Sequence, residues 1–140
     1  MHKNITIYIM ICLFILSACS SEEKRLEKAK EENTVSAFDE FIKQYPESKY
    51  NQEATLAIEE LLWYSAFNSK NVILLEDCIS KYPKSQRIPE ATLAIEELLW
   101  DSAFNTKNII LLEDCISKYP KSQKVPKANF LADSFENFRA

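Results

Sequence analysis

The residues of this 140-residue chain that could do chemistry are four cysteines, several pairs of adjacent carboxylates and two tryptophans. Cys12 and Cys19 lie near the N-terminus; Cys78 and Cys115 lie 37 positions apart. A disulfide needs Cα atoms within about 7 Å. Equivalent points on stacked helical units are separated by about 10 Å or more. Cys78 and Cys115 therefore read as buried small hydrophobes, and Phe41 holds the same phase one step earlier. An intermolecular disulfide or a redox role is the alternative. A metal site is disfavoured, because the chain has one histidine, His2, and no C-x-x-C pair. Glu59-Glu60, Glu76-Asp77, Glu96-Glu97 and Glu113-Asp114 could act as acid–base pairs or hold Ca²⁺. Adjacent residues on a helix point about 100° apart, so a solvated face is the better reading. Trp63 and Trp100 could stack on a sugar or a peptide, but their place in a repeating pattern favours packing between helices. No Ser/His/Asp or Cys/His set forms once His2 is set aside, and no Ser–Lys dyad stands out. The residue inventory predicts a protein that is not an enzyme and uses no cofactor.

The elements that position these residues follow from a repeat. Residues 53–89 and 90–126 are both 37 long and identical at 32 positions. They differ at Tyr64/Asp101, Ser69/Thr106, Val72/Ile109, Arg87/Lys124 and Ile88/Val125. Residues 26–52 are a diverged copy: Leu26 matches Trp63, Ala29 matches Ala66, and Tyr45-Pro46 matches Tyr82-Pro83. Residues 127–140 are a truncated one. A period of 20–50 residues is the sequence signature of a solenoid. Each unit reads as two helices. The longer, over about 53–68, places Ala54, Ala57, Ile58, Leu61, Leu62 and Phe67 at helical spacing. It is more apolar than a one-sided surface helix needs, which fits packing on two neighbours. Asn71 is placed to cap the second helix, over about 72–82, which Pro83 ends. Asp77–Lys81 and Asp114–Lys118 have i,i+4 spacing. Pro89 fits a first helical position. Tyr64/Asp101 is the one non-conservative difference, so it is expected at the surface. It is the candidate for where two otherwise equal units differ in binding, with neutral drift the alternative.

The chain contains no glycine. That excludes a Walker P-loop, a G-x-G-x-x-G turn and a G-x-S-x-G elbow, and it argues against an all-β fold. The basic start Met1–Asn4, the apolar run Ile5–Leu16 and then Ser17-Ala18-Cys19 have the three-part layout of a signal peptide. The run is too short to span a membrane as a helix. Leu16-Ser17-Ala18-Cys19 resembles the lipobox of bacterial lipoproteins. The resemblance implies removal of residues 1–18, lipidation of Cys19 and a bacterial envelope location. Ser20 after the cysteine implies the outer membrane, facing the periplasm. Residues 19–25 would then be the lipidated cysteine and a polar tether, and residues 26–140 the repeat domain. Loss of Lys3 takes the net charge from −4 to −5. An acidic chain is a poor nucleic-acid binder.

Trp63-x-x-Ala66 and Trp100-x-x-Ala103, followed by Tyr-Pro-x-Ser at 45–48, 82–85 and 119–122, resemble tetratricopeptide-type repeats. The pattern is similar to the variant found in envelope lipoproteins that assist β-barrel assembly and in periplasmic cell-division coordinators. It covers about residues 26–140. The implied architecture is all-α, a short right-handed solenoid of helix pairs with a 37-residue repeat. The usual period is about 34, so three residues, such as Gln86-Arg87-Ile88, are extra. The implied function is a membrane-anchored, non-catalytic scaffold for a protein or peptide partner, with an accessory part in envelope assembly as the analogy. The alternative is an immunity or inhibitor lipoprotein whose acidic surface meets a basic toxin.

Overall fold

A computed structural model of the chain describes residues 21–137, with side-chain burial through Ser134. The expected signal peptide and the expected lipidation at Cys19 lie outside the described residues, as does the environment of Phe135 and the residues after it. The described residues are all-helical, with no strand among them. α1 covers 21–32, and α2 to α7 are Val35–Gln44, Asn51–Ser69, Val72–Lys81, Ile88–Thr106, Ile109–Lys118 and Val125–Asn137. The stretch expected as a tether is already helical from residue 21. Its charges have partners further along the chain: Glu22 accepts the Ser48 hydroxyl at 2.9 Å, and Arg25 lies 3.5 Å from Glu40.

Local chemistry sets the ends of the short helices. Asn71 Oδ1 accepts the backbone N–H groups of Ile73 and Leu74 at 2.9 and 3.4 Å, as the sequence predicts. Asn108 does the same for Ile110 and Leu111, and Thr34 caps α2 through Ala37. Each short helix runs ten residues and stops one residue before a tyrosine. The chain then makes two turns in succession. The Ser85 N–H donates to the Tyr82 carbonyl at 2.9 Å, and the Ile88 N–H to the Ser85 carbonyl at 3.4 Å. The same bonds recur from Tyr45 to Asn51 and from Tyr119 to Val125. The serine hydroxyl bridges the second turn by accepting the N–H two residues on, at Tyr50, Arg87 and Lys124. Ser85, Gln86, Arg87 and Ile88 form this second turn. Ile88, not Pro89, is the first residue of α5. Proline is tolerated one place later because the whole first turn lacks intrahelical acceptors for its N–H groups.

The long helices end differently. Asn33, Lys70 and Lys107 follow α1, α3 and α5 with φ of 48°, 49° and 51°. This left-handed conformation is where glycine usually sits. A glycine-free chain makes the turn with asparagine once and lysine twice.

Contacts divide the chain into two compact units, residues 1–62 and 63–140, and the boundary falls inside α3. Ala54 and Ile58 lie in the first unit's core with Leu26, Ala29, Ala37, Phe38 and Phe41. Trp63 and Ala66, further along the same helix, are buried on the other side of the boundary. α3 thus contributes buried residues to both units, which accounts for an apolar content too high for one face. In the second unit, Trp100, Ala103, Leu112, Cys115 and Ala128 form a core supported by Leu99, Phe104, Ile116 and Leu131.

Candidate interaction surface

The structure decides the fate of each residue that could do chemistry. Cys78 and Cys115 are buried free thiols. Burial pushes the Cys115 thiol pKa up, reinforced by the Asp114 charge, so it is a poor nucleophile. Trp63 and Trp100 are fully buried and stack on Phe67 and Phe104 at centroid distances of 5.9 and 5.6 Å. They are core, not stacking platforms for a ligand. The Trp100 indole donates to Glu96 Oε1 at 3.3 Å. Glu96 therefore departs from the solvated-face expectation: it is half-buried and serves a buried donor one turn later. Glu76-Asp77 and Glu113-Asp114 are exposed as expected. Lys118, expected to pair with Asp114 along its own helix, reaches Glu76 of α4 at 4.0 Å.

Ion pairs line the long helices. Lys30 lies 2.7 Å from Glu53 and 2.9 Å from Glu27, and these two carboxylates hold its ammonium pKa well above the usual lysine range. In the second unit Lys124 pairs with Glu97. No group of three or more His, Cys, Asp or Glu suited to a metal ion occurs among the described residues. A shallow recess between α1 and α2, lined by Arg25, Lys28, Glu32 and Glu40, has a volume of about 10 Å³. That is room for about one water.

What remains is surface. Tyr64 is 69% exposed and Asp101 is exposed, each one residue after a buried tryptophan. The position that distinguishes the two near-identical units is therefore in contact with solvent. Sequence reasoning missed a second set. Leu56, Leu93 and Phe130 occupy one phase of the 37-residue period and are 54%, 64% and 73% exposed. Leu56 and Leu93 lie eight residues before Tyr64 and Asp101 on the same helices, a little over two turns away and rotated by about 80°. The signal was available: Leu56 falls outside the apolar stripe of its helix yet stays apolar in every copy. Ile73 and Ile110 form a third set, at the first turns of α4 and α6, with Leu74 and Leu111 beside them. Exposed large apolar residues thus recur at fixed positions of the 37-residue sequence period. No protein-family model matches this chain, and no curated protein matches it at a significant level.

Proposed function

We propose that this protein is a non-catalytic interaction scaffold, a short right-handed α-solenoid of tetratricopeptide-like helix pairs, held on a bacterial membrane by lipid on Cys19. The observation that carries the scaffold reading is the recurrence of Leu56, Leu93 and Phe130 as exposed apolar residues on successive long helices. The cores already hold Trp63, Trp100, Phe41 and Leu112, and Leu56, Leu93 and Phe130 are left more than half exposed. Leu93 and Phe130, both in the second unit, suit a protein or peptide partner that contacts α5 and α7. Tyr64 and Asp101 then tune that contact, an aromatic in one unit and a charge in the next. An envelope location on the periplasmic face of the outer membrane, and an accessory part in envelope assembly, rest on the lipobox resemblance and on Ser20.

The test is capture of partners by mild crosslinking in cells, comparing the parent chain with Leu93→Ser/Phe130→Ser. Both positions are exposed, so the helical circular-dichroism signal and the unfolding midpoint should be unchanged. Loss of the captured partner with an unchanged fold supports the scaffold. A partner set indifferent to both positions refutes it. The anchor has its own test: lipid labelling that survives Cys19→Ala would refute it.

A further inference from the structure

We draw no further inference here: the strongest candidate, the surface patch of exposed aliphatic pairs Ile73-Leu74 and Ile110-Leu111 on the first turns of α4 and α6, is flanked by exposed carboxylates on the same helices, and nothing in the structure shows what covers it.

Discussion

The left-handed lysines offer the sharpest test of the local physics. For an L-residue with a Cβ, φ near +50° costs roughly 1–2 kcal/mol relative to the right-handed well. Glycine avoids that clash but gives back about 0.4–1 kcal/mol through the greater freedom of the unfolded chain. The net expectation for Lys107→Gly is a gain of about 0.5–1 kcal/mol. Lys107, at φ 51° and ψ 34°, lies close to the centre of the left-handed region, so glycine needs no backbone movement. Its N–H donation to the Phe104 carbonyl at 3.4 Å is made by the backbone and survives the change. Lys70→Gly, at φ 49°, should behave alike. The two sites are a full repeat apart, so their gains should nearly add. With a urea slope of about 2 kcal/mol/M, each site moves the midpoint up by about 0.25–0.5 M. Lys107→Ala keeps the Cβ and should gain nothing, which separates backbone geometry from loss of the lysine charge. Asn33→Gly should gain less, because asparagine tolerates this conformation better. A fall in the midpoint on Lys107→Gly would refute the reasoning, as would an equal rise with alanine.

Three further outcomes follow from the same structure. Asn108→Ala removes the acceptor for the Ile110 and Leu111 N–H groups and should lower stability by about 1 kcal/mol, read from the urea midpoint. Glu96→Leu leaves the buried Trp100 indole without its acceptor and should cost about 1–3 kcal/mol; Trp100→Phe in the same chain should shrink that cost, and a double-mutant cycle showing no coupling would exclude the bond. Lys30 has a folded pKa above its unfolded value, so its contribution is complete below about pH 10 and is lost as pH rises through the folded value. Stability measured from pH 9 to 12 should fall less steeply in Lys30→Gln than in the parent.

The helix pairs were legible because their signals are local. The asparagine caps, the Tyr-Pro-x-Ser corner and the proline phase act within five residues of themselves, and the structure places helix ends within two residues of the expected ones. The early start of α1 was not legible. Glu22 and Arg25 read as a polar tether until Ser48 and Glu40, 26 and 15 positions away, are seen to meet them. Glu96 was misread for a related reason. It was grouped with a solvated pair, and the burial of Trp100 one turn on turns one of its oxygens into a structural acceptor.

By itself the sequence determined that this chain is helical, repeated every 37 residues and unable to cradle phosphate through glycine turns. Those properties depend on residue type and spacing, which a sequence records in full. Tertiary structure alone decided which apolar residues the cores leave out. Leu56, Leu93, Phe130, Ile73 and Ile110 are as hydrophobic as their buried neighbours. Exposure is set by which helix packs on which face, and that is a property of the folded arrangement. The surface that gives the chain its proposed work is therefore visible only once the cores have been filled.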